Sequence, residues 1–422
     1  MTREYRLTAR RVCAAALVLV LAGCASTTTP SATSPTSSPS AAAVPPSAPP
    51  SSATPTDTLT PTPPETASPT AQLSCADSTL ASMSEAQRIG QLFMIGLMKD
   101  RLDATERSAV ADFHFGSFAF TTQSRAGVTA IRAITDAVQG LATRKATAGV
   151  PFFVAANQEG GLIQGLAGSG FDVIPSALKQ GTMTLATLKK DAARWGRQLD
   201  QAGVNLDLAP VADVVPPGTD QSNAPIGQLQ REYGHDPATA ASHVRAFIAG
   251  MTQARIGTSA KHFPGLGRVE GNTDFTGDVV DEVTVRDDPY LQPFATAIGA
   301  GVPFVMVSLA TYTKIDPDHL AVFSPTVIGG MLRGDLGFDG VVISDALGAT
   351  AVQSIPPGTR AIDFLLAGGD MVISNQTAPA IEMAKAVAAQ VTTDAAFRER
   401  VDDAARHVLR AKQAAGLLSC AG

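Results

Sequence analysis

Eight short apolar runs alternate with longer segments of helical spacing, and this alternation constrains the fold more than any other feature of the chain. Runs that are apolar almost throughout are typical of parallel strands buried on both faces, because helices cover both sides of such a sheet. The segments between them are long enough for crossover helices. The predicted strands are FMIGL (93–97), GSFAF (116–120), PFFVAAN (151–157), NLDLAP (205–210), GTSAKHF (257–263), PFVMVSLA (303–310), GVVISDAL (340–347) and DMVIS (370–374).

The number of these units favours one closed (β/α)8 barrel, a fold of the α/β class. An open, doubly wound sheet is the alternative, but the first strand-to-helix turn has no G-x-G-x-x-G, so a dinucleotide-binding fold gains no support. Residues 73–422 give about 350 residues, a normal length for one such barrel. The final segment, 377–418, is amphipathic with helical spacing. We expect it to cover the outside of the barrel, with His407 as a surface or packing residue.

The residues before the predicted barrel have a different composition. Residues 1–23 resemble a secretory signal. Four arginines and one glutamate precede an apolar run that is too short to span a bilayer. The run ends in LAGC (21–24), which is similar to a bacterial lipobox. We therefore expect an exported protein, anchored to the cell membrane through a lipid on Cys24 and facing the cell wall. An ordinary signal peptide with a chance cysteine is the alternative. Residues 24–72 are almost entirely Ser, Thr, Pro and Ala, which predicts a disordered tether.

Charge and cysteine content limit the partners and suggest a covalent link. The formal net charge is −6, and without the segment 1–23, which contributes +3, it becomes −9. This acidic balance argues against a nucleic-acid partner. Once Cys13 and Cys24 are assigned to the signal and the lipid, Cys75 and Cys420 remain at the two ends of the predicted barrel. In an oxidising compartment this pair predicts a disulfide that joins the domain termini, with two free thiols as the alternative.

Several predicted strands end in side chains that can take part in chemistry. The active sites of (β/α)8 barrels lie at the carboxyl ends of the strands, so such residues are expected to meet at one rim. The six histidines are scattered and form no recognised metal motif, so we expect neither a metal nor a cofactor. The residues at strand ends are Asn157, Glu159, Asp213, Lys261, His262, Asp345 and Asn375.

Four stretches, in their order along the chain, resemble the N-terminal barrel of glycoside hydrolase family 3. They are NQEGG (157–161), APIGQLQREYGHDP (224–237), KHFPGLG (261–267) and LRGDLGFDGVVISDAL (332–347). The resemblance covers nearly all of 76–418 and is nearest to single-domain bacterial β-N-acetylglucosaminidases, whose lipoprotein members have a similar anchor and tether. It implies a retaining hydrolase that removes β-linked N-acetylglucosamine through a covalent glycosyl-enzyme. It also implies peptidoglycan fragments, or muropeptides, as substrate, and we expect a monomer.

The resemblance assigns Asp345, in the Ser-Asp motif, as the nucleophile. A carboxylate at the end of a buried strand is already positioned, and its low pKa keeps it ionised for attack on an anomeric carbon. A helix cap is the alternative role for this residue.

The resemblance also implies a set of substrate-binding residues. Lys261, His262 and Arg231 match family residues that contact the sugar, although a satisfied core histidine is the alternative for His262. Asp213 stands where the family has an aspartate after a barrel strand. Asn157 replaces the first aspartate of a D-Q-E-G-G motif, and an amide can still donate and accept hydrogen bonds.

The loop after KHFPG departs from the family pattern. The family has KHFPGHG, four further residues and then Asp-Ser-His, whose histidine is the general acid/base. Here Leu266 replaces the first of these histidines, and Asn272, Thr273 and Asp274 replace Asp-Ser-His. A protonated carboxylic acid can protonate a leaving group if its pKa is raised, so we predict that Asp274 is the acid/base. Glu270 on the same loop is the competing donor.

Two other functions remain open from the sequence. The loss of the histidine is compatible with a non-catalytic carbohydrate-binding lipoprotein. Phosphorolysis is a further possibility, but a carboxylate at the acid/base position would repel phosphate.

Overall fold

A computed structural model of the protein describes residues 74–98 and 100–418. The predicted signal 1–23, the lipobox cysteine Cys24, the tether 24–72 and Cys420 lie outside the described residues. Cys75 is disulfide-bonded, and its pairing with Cys420 stays a prediction. Within the described ranges, no helix combines the length and the apolar character needed to cross a membrane.

Eight parallel strands close into a barrel in their order along the chain, and the first strand also pairs with the eighth. Each predicted run contains one observed strand, so the predicted (β/α)8 barrel is confirmed. The barrel strands are β1 (Phe93–Leu97), β2 (Ser117–Phe120), β3 (Phe153–Ala156), β4 (Leu206–Asp207), β5 (Gly257–Phe263), β6 (Phe304–Val307), β7 (Val341–Ala346) and β8 (Met371–Ser374).

Helices connect the strands and surround the barrel. They are α1 (Cys75–Ser82), α2 (Glu85–Gln91), α3 (Ala104–Phe113), α4 (Val128–Gln139), α5 (Arg144–Thr147), α6 (Ala177–Gln180), α7 (Leu185–Gln201), α8 (Pro237–Gln253), α9 (Gln292–Gly299), α10 (Pro357–Leu366), α11 (Thr377–Thr393) and α12 (Ala395–Ala414). A π-helix spans Thr326–Asp335, and short 3-10 helices span Gly227–Leu229, Pro289–Leu291, Ala321–Phe323 and Thr350–Val352. Short strands outside the barrel are Gln158–Gly160, Ile163–Gln164, Val280–Asp281, Thr311–Tyr312 and Asp316–Leu320.

Local sequence signals set the ends and the faces of the outer helices. Helix α8 begins after Asp236, whose carboxylate accepts a hydrogen bond from the Thr239 N–H at 2.8 Å, and Pro237 occupies its first turn. Helix α7 buries Leu188, Ala192, Trp195 and Leu199, which recur at helical spacing. Such faces cover the apolar strands and keep the barrel free of water.

A fully buried aspartate fixes the amino-terminal end of β8. Asp370 accepts hydrogen bonds from Arg333, from Arg400 at 2.6 Å and from His407 at 3.0 Å, and its Oδ2 also accepts the Val342 N–H at 2.8 Å. Burial alone would raise the pKa of this carboxyl, but the hydrogen bond from His407 and the charges of the two arginines hold it below its usual value. His407 on α12 is therefore a packing residue, as the sequence predicted.

The same cluster explains part of the sequence LRGDLGFDG. Arg333 donates to the carbonyls of Phe338 and Gly340 as well as to Asp370. These contacts fix the turn that leads into β7. The beginning of this family-like stretch is thus structural, while Asp345 lies at the other end of the same strand.

We expect Asp370→Asn to lower the free energy of unfolding by about 3–5 kcal/mol, because the partly buried Arg333 loses its counter-charge and Arg400 keeps only the exposed Asp403. Urea unfolding measures this change. Asp335→Asn is the matched control, since it removes the partner of Arg286 in an exposed ion pair and should have little effect. Equal losses in the two variants would contradict the structural role given to Asp370.

Candidate active site

A cleft of about 330 Å³ opens at the carboxyl ends of the barrel strands. Six of the seven residues predicted to act on or bind the sugar line this cleft. The seventh, Asp213, is buried behind His262. The six residues of the wall are Asn157, Arg231, Lys261, His262, Asp274 and Asp345.

Lys261 and His262 both face the cleft, although neighbours on a regular strand point to opposite sides. The register of β5 against β6 shifts between Lys261 and Phe263, and the Lys261–His262 peptide bond is cis. Irregular pairing of this kind redirects side chains at the rims of barrels. The sequence anticipated that both residues reach a ligand only where the strand ends.

Asp213 orients His262 from behind the cleft wall. Its Oδ2 accepts a hydrogen bond from Nδ1 of His262 at 2.7 Å. Since a carboxylate only accepts, Nδ1 carries a hydrogen, and Nε2 lies 3.5 Å from Nη2 of Arg231. The other oxygen accepts the backbone N–H of His262 at 3.1 Å and of Leu266 at 2.8 Å. Asp213 therefore positions the histidine and its loop, and the structure does not place it on the cleft wall as a sugar contact.

Glu159 is the central residue that the sequence analysis noted at a strand end without giving it a role. Its carboxylate accepts hydrogen bonds from Arg231 at 2.8 and 2.9 Å and forms an ion pair with Nζ of Lys261 at 2.6 Å. Burial would raise the pKa of Glu159, but Arg231 and then Lys261 outweigh this and lower it to about 2. Lys261 also donates to Oδ1 of Asn157 at 2.6 Å. Glu159 thus holds both cationic groups in fixed positions.

Two glycines allow the backbone to pass close to its neighbours here. Gly160 has φ +106°, and a Cβ on it would lie 2.2 Å from the Pro175 carbonyl oxygen. A Cβ on Gly267 would lie 1.8 Å from the Val214 carbonyl oxygen. The glycines of NQEGG and KHFPGLG therefore let the Glu159 turn and the loop after β5 approach the rest of the rim.

Asp345 lies at the end of β7, where the register against β8 shifts between Ile343 and Ala346. Its side chain is half-buried, and its Oδ1 accepts the Ala346 N–H at 2.8 Å. This places a carboxylate on the cleft wall at the position that the sequence predicted for the nucleophile.

The loop of Asp274 is tied to the loop that follows Asp345. The Thr350 hydroxyl donates to the Asp274 carbonyl at 2.9 Å, and the Ala351 N–H donates to the Thr273 carbonyl at 3.1 Å. The Asp274 N–H donates to Oδ1 of Asn272 at 3.0 Å. These bonds fix the backbone of the predicted acid relative to the strand of the predicted nucleophile.

The pKa of the Asp274 carboxyl is raised above its ordinary value. The surrounding cleft walls remove water from it, and the negative charge of Asp345 adds to this effect, while His262, Arg231 and Lys261 oppose it. Because the side chain is exposed at the mouth of the cleft, solvent weakens all of these effects. The direction is the one that a proton donor needs.

The competing donor, Glu270, is exposed and does not line the cleft. Leu266, which replaces the first family histidine, is buried and forms an apolar part of the wall. Of the two acids weighed from the sequence, the structure brings only Asp274 to the cleft with Asp345.

Asp207, at the end of β4, is a further acid that the sequence analysis passed over. Burial raises its pKa to about 7, and the negative charge of Glu159 adds to this. Two effects oppose the rise: Oδ1 accepts a hydrogen bond from the Gln158 N–H at 2.9 Å, and Lys261 is a nearby positive charge. It lies beneath the Glu159 network. In the sequence, only its position at the end of a predicted strand could have pointed to Asp207, and this position did not distinguish it from other buried polar residues.

A closed barrel with two carboxylates on the wall of a sugar-sized cleft defines the class of glycoside hydrolases. Residues 85–411 match the glycosyl hydrolase family 3 N terminal domain, so the chain belongs to this family and is a glycoside hydrolase. The family predicted from the four sequence stretches is therefore confirmed.

Solved and curated relatives have similar folds and names. A β-N-acetylhexosaminidase from Beutenbergia cavernae DSM 12333 is 47% identical, covers 78% of this chain and 99% of its own, and has a TM-score of 0.77. A family 3 β-N-acetylglucosaminidase from Paenibacillus sp. str. FPU-7 is 25% identical over 81% of this chain and 64% of its own, with a TM-score of 0.71. A beta-hexosaminidase from Xanthomonas campestris pv. campestris (strain B100) is 29% identical over 317 residues, 72% of this chain and 91% of its own.

We expect Glu159→Gln to reduce kcat/KM on an aryl glycoside by about 10²-fold, because Arg231 and Lys261 lose the charge that positions them. Steady-state kinetics with a chromogenic substrate measures the loss. Glu85→Gln removes an exposed glutamate paired with Arg398 and should leave kcat/KM unchanged. Activity of Glu159→Gln within twofold of the wild type would show that this carboxylate does not organise the site.

Proposed function

We propose that this protein is a retaining β-N-acetylglucosaminidase in which Asp345 is the nucleophile and Asp274 is the general acid/base. The observation that carries the proposal is that Asp274, with a raised pKa, shares one cleft wall with Asp345. The names of the similar proteins from Beutenbergia, Paenibacillus and Xanthomonas support an N-acetylhexosamine substrate.

In the first step, the Asp345 carboxylate attacks the anomeric carbon of the sugar while the protonated Asp274 gives its proton to the glycosidic oxygen. The bond between the anomeric carbon and that oxygen breaks, and the leaving group departs with the proton. The sugar is then held as an ester of Asp345. The ionised Asp274 next removes a proton from water, which attacks the anomeric carbon and releases Asp345. Both carboxyl groups return to their starting protonation states.

The charged network on the cleft wall orients the sugar for these steps. Arg231 and Lys261, held by Glu159, offer hydrogen-bond donors, and Asn157 offers both a donor and an acceptor. His262 lines the cleft in a fixed orientation, because Asp213 holds its ring. Such fixed partners place the anomeric carbon relative to the nucleophile at low entropic cost.

We expect Asp274→Asn to reduce activity far more on substrates with poor leaving groups than on activated aryl β-N-acetylglucosaminides. Proton donation contributes about 10²- to 10⁴-fold, and a leaving group of low pKa needs little of it. A series of aryl glycosides that differ in leaving-group pKa measures the slope. In the wild type, activity on poor leaving groups should also fall as pH rises through the Asp274 pKa, because the acid must be protonated, and the variant should lack this limb.

Asp345→Ala is the companion variant, and it should abolish turnover of every substrate in the series because no glycosyl ester can form. Equal losses for Asp274→Asn on good and poor leaving groups would refute the acid role. Tight binding of N-acetylglucosamine without turnover in the wild type would favour a carbohydrate-binding lipoprotein instead.

We further propose that the enzyme is exported, anchored through a lipid on Cys24, and acts on muropeptides in the cell envelope. The support is the sequence of residues 1–72 alone. We expect Cys24→Ser to prevent lipid attachment, so that the protein leaves the lipid-anchored membrane fraction. It should then be found as soluble exported protein or as uncleaved precursor, as followed by fractionation and immunoblotting. Cys13→Ser is the matched control and should leave the distribution unchanged. Retention of Cys24→Ser with the processed form in the membrane would exclude the anchor.

A further inference from the structure

The loop between β4 and α8 brings together three side chains of the types that bind metal ions. One ligand atom each from Asp220, Glu232 and His235 lies within 4.8 Å of the other two. Nε2 of His235 and Oδ1 of Asp220 are 3.7 Å apart. Two ligands of a tetrahedral zinc ion with bonds of about 2.1 Å are separated by about 3.4 Å, so little movement is needed. None of these three residues lines the sugar cleft described above.

Glu232 supplies an independent observation. The residue is 0% exposed, and within the described residues no donor meets full hydrogen-bond geometry with either of its carboxylate oxygens; the Asp220 carboxylate and the backbone N–H groups of Arg231 and Glu232 lie near them. A buried carboxylate without a donor is strongly unfavourable, because neither water nor a partner compensates its charge. Asp220 places a second carboxylate beside it. A cation between the two acids would offset both the desolvation and the repulsion.

The ring of His235 is oriented as metal-binding histidines usually are. Its Nδ1 lies 3.2 Å from the Val215 carbonyl oxygen, which can only accept a hydrogen bond. Nδ1 therefore carries a hydrogen, and Nε2 is the ring atom that faces Asp220. Donation of the other ring N–H to a carbonyl is the usual arrangement around a histidine ligand. In a neutral ring the lone pair of Nε2 would face this carboxylate, which is unfavourable unless a positive charge lies between them.

A protonated His235 paired with Asp220 is the simpler alternative. Their side chains are 34% and 28% exposed, so such a pair would contribute little in water. It would also leave the Glu232 carboxylate without a donor in full hydrogen-bond geometry. A metal ion accounts for all three side chains at once.

We propose that Asp220, Glu232 and His235 form a binding site for a divalent transition metal ion of the zinc type. Two carboxylate oxygens and one imidazole nitrogen suit Zn²⁺, with water completing the shell. No metal was expected from the sequence, because its six histidines are scattered and form no recognised motif. Asp220 is 12 residues from Glu232, and E-Y-G-H (232–235) is not a recognised motif either. Glu232 follows Arg231 directly, so the ion would fix the loop that carries this cleft residue.

Isothermal titration of the chelator-treated full-length protein with ZnCl2 tests the site. We expect one equivalent of zinc per chain, with affinity reduced at least about tenfold in Asp220→Asn, Glu232→Gln and His235→Gln. His319→Gln is the matched control, because His319 also lies beside an aspartate, Asp316 at 3.0 Å, but belongs to no three-residue cluster. It should bind zinc as the wild type does. No binding by the wild type, or binding that persists in all three variants, would overturn the proposal.

Thermal unfolding gives a second readout that separates a metal ligand from an ordinary structural glutamate. With chelator present, Glu232→Gln should melt at or above the wild-type temperature, because it removes a buried unpaired charge. Zinc should raise the melting temperature of the wild type but not that of the variant. A lower melting temperature for Glu232→Gln in chelator, with no effect of zinc on the wild type, would assign Glu232 a purely structural role and refute the site.

Discussion

The buried carboxylate of Glu159 is the contact on which the rim of this barrel depends. It joins three segments, because it follows β3, while Arg231 comes from the loop after β4 and Lys261 from the end of β5. Burial alone would protonate such a group, and the two cations prevent this, so each charge stabilises the others only while all three are present. The cationic groups that face the sugar cannot move independently of one another. This is how a wall made from separate loops can be rigid enough to orient a substrate.

The second arrangement at the rim concerns the proposed acid and nucleophile. Here a carboxyl group stands where the resemblance leads one to expect a histidine. The backbone of Asp274 is tied through Thr350 to the loop beyond Asp345, so the two acids are held by the same hydrogen-bonded segments. Leu266, which replaces the other family histidine, is buried and adds apolar surface to the cleft that both acids line.

One end of the barrel holds a stabilising network of ion pairs, and the other end holds the cleft. At the amino-terminal end of β8, Asp370 is enclosed by Arg333, Arg400 and His407. At the opposite end of β7, Asp345 is only half-buried and reaches the cleft. One continuous family-like stretch thus contributes to both ends of the barrel.

The apolar alternation of the sequence by itself determined the eight strands and the closed barrel. It also determined that Asn157, Lys261, His262 and Asp345 share one rim, because parallel strands of a barrel all end on the same side. The periods that reveal strands and helices do not extend into loops, whose course is set by contacts between distant segments.

Only the tertiary structure could therefore show that Asp274, and not Glu270, lines the cleft, place Asp213 behind His262, and show that Glu159 binds two cations at once. The same holds for Glu232, whose buried carboxylate is distinguished only by its neighbours Asp220 and His235. A side chain's chemistry follows from its neighbours in space and from its access to water, and one residue's position along the chain specifies neither.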